Sequence, residues 1–473
     1  VYTENKKRAD GFCLPQSIRS DRFKCMSNTP NLYDVVVAGG GPSGIGAAIA
    51  ASRAGSRVAL IERWPVLGGM GTVALVNNFC PAHFDGERFI IGGIFGELRQ
   101  RLIARKAIYT YQPLATTNPI IEPYNPDVFA EEVVAMCCEA GVDVMLNTKI
   151  ATVTFERAQP ATIALAGGLT LTARVVVDAT GDALIAHRAG VPSTFGKEGT
   201  HDVMPLTFCY MLGQIDLQAA KAGLPESVRY DKGTGEEFYY FSGWHPVVDQ
   251  WVKQAREDGS LSIPRDHISA ILSVPGKPQF ATVNFGRVTI ADPTDPAQLT
   301  AAEAEGRRQI EEGIRFFRKH IPGLANVELV QAARQIGVRE TRQIIGLYTL
   351  TAEDVLSGRQ FDDVIAQCCY PIDIHEPGKD TTIMKRLPRG THYDIPWRCL
   401  IPRSGPDNLI VAGRSVSATS DAMSSFRVSP SVMAIGEAAG VTAARAVECH
   451  CAIRDVNPAD VQHRLNATGA ILM

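Results

Sequence analysis

The chain has 473 residues, enough for two or three domains, and its 45% hydrophobic and 21% charged content is ordinary for a soluble globular protein. A formal net charge of −3 gives no basis for a nucleic-acid partner, and no apolar run approaches the length of a membrane span. Eleven cysteines, an odd count without CxxC or zinc spacing, point to reduced thiols in a cytoplasmic setting, with no metal centre.

Residues 1–31 read as an N-terminal extension, polar and basic through Lys6, Lys7, Arg8, Arg19, Arg22 and Lys24, with no secretory apolar region. The chain opens on Val1 rather than Met, which leaves room for a removed upstream segment and for export. Export would allow a Cys13–Cys25 bridge, but a reduced pair is the expectation.

The stretch Tyr33–Glu62 follows. A short β-branched run, Val35–Ala38, has the character of a buried parallel strand. Gly39, Gly41 and Gly44 then give GxGxxG spacing ahead of a small-residue helix, Ile45–Ala54, and a second strand, Val58–Ile61, ends on Glu62. Gly39 permits the tight turn, Gly41 lets backbone approach a pyrophosphate, and Gly44 lets the helix lie against the sheet. Glu62 is placed to accept hydrogen bonds from a ribose diol. Strand, glycines, helix and acid in this order predict a dinucleotide site.

A second glycine-rich loop, Gly68-Gly69-Met70-Gly71-Thr72, comes soon after. Two such loops close in sequence suit an extended ligand threaded past backbone, FAD rather than NAD. Gly92–Gly93 leads into a helix through Leu98 and Leu102, and Asn125–Pro126 opens another that Gly141 stops. Val142–Leu146 and Ile150–Val153 read as strands, and residues 161–178 as strand, glycine turn and strand. The last of these runs into Ala179-Thr180-Gly181, small residues where backbone must approach a ligand.

From about Val203 the grammar changes to mixed segments with aromatic clusters around Phe238–Phe241, Trp244 and Trp251. Thr300 and Glu303 form a capping-box pattern opening a helix that Pro322–Gly323 ends. The expected organisation is a nucleotide domain over 32–202 and 386–450, an inserted substrate domain over 203–385, and a tail over 451–473. After the insert, Leu409–Gly413 reads as strand and glycine turn. Ser429, expected as the cap, and Pro430 open a long Gly- and Ala-rich helix that must pack very close to something.

The ordered set GGGPSG with Glu62, GGMGT, VVVDATGD and NLIVAGR…SPSVMAIGEAAG resembles the glutathione-reductase-like superfamily, and more narrowly the FAD-dependent oxidoreductase family. Members of that family carry segments similar to Arg339–Gly346, Tyr370–His375 and Tyr393–Arg398, and the resemblance covers Tyr33 to Val447. It implies an α/β fold, a Rossmann-like FAD-binding domain discontinuous in sequence, with an inserted α+β substrate domain. It implies that Gly39, Gly41, Pro42, Ser43 and Gly44 cradle the FAD diphosphate while Glu62, with Arg63 beside it, holds the adenosine ribose. Gly69, Met70, Gly71 and Thr72 flank the cofactor. Ile150 matches the position whose backbone contacts adenine, with Ala179, Thr180 and Gly181 near that half. Gly413 and Arg414 approach the ribityl chain and diphosphate, and Arg414 stands where wider relatives place an acid. Val432 and Met433 lie near the flavin pyrimidine, at a helix N-terminus suited to its developing negative charge.

The function expected is an FAD-dependent dehydrogenase or oxidase moving a hydride between a small polar substrate and flavin N5. A flavin monooxygenase and an FAD-carrying electron-transfer subunit are the alternatives. His375, Arg342, Arg398 and Tyr393 are the catalytic candidates, with Arg339 and His392 beside them; arginines offer bidentate clamps for carboxylate. His83 and Cys80 follow the second glycine loop and are weaker candidates for covalent flavin linkage and for redox activity. No second GxGxxG follows a strand, so reoxidation falls to oxygen, a quinone or a redox protein. Self-association is left open.

Overall fold

The strand Leu32–Ala38 lies between two parallel neighbours, with Val35 opposite Val58 of Val58–Ile61 and opposite Val175 of Thr170–Asp178. Asp143–Met145 joins outside Val58–Ile61, and Leu409–Val411 returns from far along the chain to pair with Val176–Asp178. Val35 and Val37 face one core, Val36 and Ala38 another. With both faces covered, the strand is apolar throughout instead of alternating. The first half of Thr170–Asp178 pairs antiparallel with Ala161–Leu165, which in turn pairs with Ile150–Thr154. These features come from a computed structural model that describes residues 31–110, 121–231, 237–242 and 246–472. The basic N-terminal segment with Cys13 and Cys25, and Trp244, lie outside the described residues.

Two helices, Pro42–Arg53 and Ser429–Cys449, cross on one face of this sheet. Glycine sets their separation. A Cβ on Gly46 would collide with the Met433 carbonyl, one on Gly436 with the Ser43 carbonyl, and one on Gly440 with the Ala47 carbonyl. The close packing expected of the C-terminal helix is therefore met by the glycine-rich helix. Its start differs in one respect: Val428 occupies the cap position, Ser429 is the first helical residue, and no side chain caps the end. Pro430 sits in the first turn, where its missing N–H removes no intrahelical bond.

Between the two halves lies an antiparallel sheet in the order Arg229–Asp231, Glu237–Ser242, Ser269–Val274, Lys277–Val283, Tyr210–Gly213 and Glu328–Ala332. Helices Pro246–Glu257 and Pro296–His320 cover one of its faces through Val248, Val252, Ile310, Phe316 and Phe317. The long helix begins at Pro296, before the expected Thr300. Asp295 caps it by accepting the Ala297 N–H, Pro296 takes the first helical place, and the Thr300 hydroxyl donates back to the Pro296 carbonyl. A capping box does occur elsewhere, at Thr351 and Asp354. The expected fold class, a Rossmann-like domain interrupted by an α+β insert, is the one observed.

After the insert, Val364–Cys368 pairs with Tyr393–Pro396, and Ile372–His375 with Thr382–Lys385. Ile365, Cys368 and Ile372 belong to the core of the nucleotide domain, although the sequence reading puts residues up to 385 in the insert. No described helix is long and apolar enough to cross a membrane.

Two measurements test this packing. Gly440→Ala drives a Cβ into the Ala47 carbonyl and is expected to cost about 1–3 kcal/mol by overpacking. Gly96→Ala, in helix Gly93–Ala104 with nothing within 4 Å of the new Cβ, is expected to be neutral or to stabilise by up to about 1 kcal/mol. Denaturant unfolding of the pair reads the contrast, and equal effects would contradict the crossing. The second concerns Glu437, buried in the C-terminal helix and accepting the Ile94 N–H at 2.9 Å. Burial pushes its carboxyl up to about 7. The folded chain thus holds this proton more tightly than the unfolded chain, and the stability that brings is lost as pH rises from the ordinary carboxylate range through about 7. Glu437→Gln should therefore gain on the wild type in unfolding temperature between pH 5 and 8; a constant difference across that window refutes the assignment.

Candidate functional site

Gly39 has φ +101°, and a Cβ there would strike the Ala179 carbonyl, so glycine answers both the turn and the close approach of two strand ends. Gly41 differs. It is the N-cap of helix Pro42–Arg53, with no side-chain cap, and a Cβ on it would meet nothing within 4 Å. The positive end of the helix therefore opens onto free space, a cradle that a side chain would fill and that suits a phosphate. Gly44 packs onto the Gly39 carbonyl.

The second glycine loop touches the first. The Gly68 N–H donates to the Gly40 carbonyl at 2.8 Å, and a Cβ on Gly69 would lie 2.9 Å from the Gly41 Cα. Gly69-Met70-Gly71 forms a 3-10 turn steadied by the Thr72 hydroxyl, which donates to the Leu67 carbonyl at 2.8 Å. Glu62 braces the arrangement from behind: its Oε2 accepts the Gly40 N–H at 2.6 Å and its Oε1 the Trp64 N–H at 2.9 Å. Burial raises its pKa, and those N–H donors oppose the rise. Arg63 is exposed and donates to Gln335.

Gly413, at φ +84°, stands where a Cβ would be 2.7 Å from the Ser43 hydroxyl, which brings the returning strand against the glycine turn. Arg414 is locked, donating Nε to the Gly181 carbonyl at 2.7 Å and Nη2 to Asp182 at 2.6 Å. Thr180 donates its hydroxyl and N–H to Asp178 beside this contact. Val432 and Met433 are buried in the first turns of the C-terminal helix, and Ile150 starts an outer strand of the sheet.

A cavity of about 310 Å³ lies between the nucleotide domain and the insert. Met70, Arg414, Val428 and Ser429 line it from the nucleotide side, Arg265, His267 and Asn284 from the insert, and Arg339, Asp373 and His375 from the return. His375 is buried. Its Nδ1 faces Arg287 Nη2 at 3.3 Å and the Thr382 hydroxyl at 3.2 Å, and its Nε2 faces Asp373 at 3.5 Å. A guanidinium only donates, so Nδ1 accepts and the proton sits on Nε2. Burial, reinforced by Arg339, pushes the His375 pKa well below its usual value, and the ring is neutral at pH 7. Burial alone would raise Asp373; the hydrogen bond from His375 and the charges of Arg427 and Arg339 outweigh it and hold the carboxyl ionised.

Of the sequence candidates, Arg339, His375 and Cys80 line the cavity; Arg342, Arg398, Tyr393, His392 and His83 are not among the lining residues. Arg398 makes a bidentate pair with Asp363, and Arg342 donates to Thr294. Tyr393 is fully buried and shares a 2.7 Å hydrogen bond with Ser425. His83 is buried against Glu122 at 3.1 Å. Burial raises the Cys80 thiol to about 11, away from reactive thiolate. Sequence reasoning missed Arg265, His267, Asp373 and Arg427. Only Asp373 had a local signal: it precedes His375 by two residues on a strand, so both share one face.

The model of the family described as FAD dependent oxidoreductase matches residues 34–465. A digeranylgeranylglycerophospholipid reductase from Methanoculleus marisnigri is 29% identical over 204 residues, 40% of this chain and 48% of that protein, so the match spans about half the relative's length. Among solved structures, a geranylgeranyl bacteriochlorophyll reductase-like protein from Thermoplasma acidophilum is 16% identical, with a TM-score of 0.43 over 92% of this chain and 83% of that one. A p-nitrophenol 4-monooxygenase from Pseudomonas putida is 14% identical, with a TM-score of 0.41 over 89% and 79%. The uncapped glycine turn, the second loop lying on it and the family match over most of the chain converge: this chain belongs to the FAD-dependent oxidoreductase family, and its cofactor is FAD.

Proposed function

We propose that this protein is a dehydrogenase or oxidase whose small polar substrate occupies the cavity between the nucleotide domain and the insert. One observation carries the reading. The cavity is bounded on one side by Ser429, at the uncapped start of the C-terminal helix, and on the other by a buried polar set around His375. Bound FAD supplies the redox chemistry, accepting or returning a hydride at N5.

The chain's own residues divide the remaining work. The N-terminus of helix Pro42–Arg53 and the space beside Gly41 hold the diphosphate, and Glu62 keeps the glycine turn in shape while its free lone pairs take the ribose. The N-terminus at Val428–Ser429 favours negative charge on the group next to it. His375 presents a neutral ring whose Nε2–H is turned to Asp373 at 3.5 Å and orients that carboxylate in the cavity wall, while Arg287 keeps the proton off Nδ1. Arg398 and Tyr393 contribute by holding the return segment in place through Asp363 and Ser425. Reoxidation is assigned to oxygen, a quinone or a redox protein.

Gly41→Val should fold, because its extended backbone (φ −75°, ψ −179°) accepts a β-branched residue and its Cβ meets no atom of the described residues within 4 Å, yet lose FAD. Visible absorbance at wild-type level in a folded Gly41→Val sample contradicts the cradle. An anaerobic screen of alcohols, amines, hydroxy acids and sugars for flavin bleaching tests the redox assignment. With a compound that bleaches, His375→Ala should keep FAD and slow bleaching by about 100-fold or more; an unchanged rate removes His375 from the chemistry.

A further inference from the structure

The wall of the cavity has an unbalanced charge. Arg265, on the segment leading into strand Ser269–Val274, is 3% exposed. Its Nη1 donates to the Asn284 carbonyl and side-chain oxygen, its Nη2 to His267 Nε2, and its Nε has no acceptor among the described residues. Arg427 follows helix Ser420–Phe426; its Nη2 donates to Asp373 at 3.2 Å, and its buried Nε also lacks an acceptor among the described residues. Arg339 donates to the Pro205 carbonyl. Among the described residues neither Arg265 nor Arg339 has a carboxylate partner at ion-pair distance, and Asp373 is the single acid on this part of the wall.

Neighbouring groups do not remove the imbalance. Arg265 faces His267 from the Nε2 side, so that ring, like His375, accepts from a guanidinium and is not a source of negative charge. Asp266 is spent on His267 Nδ1 at 2.5 Å, outside the cavity lining. Burial first, then repulsion from Arg427 and Arg265, pulls Arg339 down to about 9; burial and Arg287 pull Arg265 down to about 10. Both remain cationic at pH 7, so deprotonation does not relieve the strain. An anion does. Buried like charges without a counterion are costly, and they persist where a ligand completes them.

We propose that the ligand completing the Arg265–Arg339–Arg427 cluster is a small organic carboxylate, and that it is the substrate. This rests on the reading of the cavity as the substrate site. The planar guanidiniums of these three lining arginines match the in-plane oxygens of a carboxylate. Of the lining arginines Arg414 is paired with Asp182 and Arg386 is exposed; the other three against Asp373 leave two charges to neutralise, which a dicarboxylate meets and a neutral alcohol or sugar does not. The volume of about 310 Å³ sets the size: a few carbons beside the cofactor, not a polymer or a lipid tail.

The test uses the FAD-loaded protein at fixed ionic strength. Succinate and malonate are titrated against succinamide, malonamide and inorganic phosphate, reading the flavin visible band and the unfolding temperature. The dicarboxylates should give a saturable spectral shift and raise the unfolding temperature, while the diamides give neither. Arg339→Gln should weaken succinate at least ten-fold, keep its FAD, and unfold no earlier than wild type without ligand, because a repelled charge has gone. A merely structural Arg339 would instead lower stability and leave succinate affinity alone. Equal responses to acids and amides, unchanged affinity in Arg339→Gln, or tighter binding of phosphate than of either acid overturns the proposal. A neutral alcohol or amine that bleaches the flavin equally in wild type and Arg339→Gln also overturns it while leaving the redox reading standing. If no compound bleaches the flavin, it is the redox reading that fails.

Discussion

The structure depends on one backbone-to-backbone contact, the crossing of helix Pro42–Arg53 with helix Ser429–Cys449. Gly46, Gly436 and Gly440 remove the side chains that would hold the helices apart, so carbonyls of Ser43, Ala47 and Met433 occupy the space. This contact brings the two ends of a long chain to one place. Leu409–Val411 can then add to the sheet beside Asp178, and the Gly413 turn can rest against Ser43. The whole insert lies within the loop so closed. Loop-closure entropy rises only about 0.6 kcal/mol per doubling of length, so a close helix pair tolerates an entire lobe between its partners.

The two walls of the cavity solve the problem of charge in opposite ways. On the nucleotide side the charges are paired: Glu62 holds the glycine turn through two backbone N–H groups, and Arg414 is fixed by Asp182 and the Gly181 carbonyl. That side is preorganised, and the free space beside Gly41 takes a ligand whose shape is already written into backbone. On the other side the cations outnumber the acids: among the described residues neither Arg265 nor Arg339 has a carboxylate partner. Shape governs one wall and charge the other. The contrast fits one ligand that stays and another that comes and goes.

Legibility in the sequence follows the same division. The glycine turn, its flanking strands, the helix stopped by Gly141 and the Asn125 cap were all readable, because each is fixed by neighbours a few residues away. Ser429 and Thr300 show how local signals mislead. Each is a good capping residue, but Pro430 and Pro296 set where the helices start, and Val428 and Asp295 fall at the cap positions. The cavity was barely readable. Arg265 and Arg427 come from an insert loop and a helix joint with no spacing that relates them, and only the fold makes them neighbours. Arg398 and Tyr393 stood in recognisable segments, yet Asp363 and Ser425 engage them. A distinctive segment marks a constraint, and that constraint can be packing.

Arg287 explains why His375 sits where it does. It belongs to the insert, yet its Nη1 donates to the carbonyls of Glu376, Lys379 and Thr381 in the hairpin loop after His375, while its Nη2 faces His375 and Thr382. One guanidinium therefore stitches the insert to the hairpin Ile372–Lys385, whose first strand packs into the nucleotide core through Ile372. Hydrogen bonds from a charged donor each contribute about 1.5–3 kcal/mol, so swinging the insert away as a rigid lid would sacrifice several at once. The same contact fixes the imidazole tautomer, so opening the lobe would release the proton arrangement as well. With shape and proton position tied to one side chain, discrimination among substrates passes to the arginines that the stitch leaves unpaired.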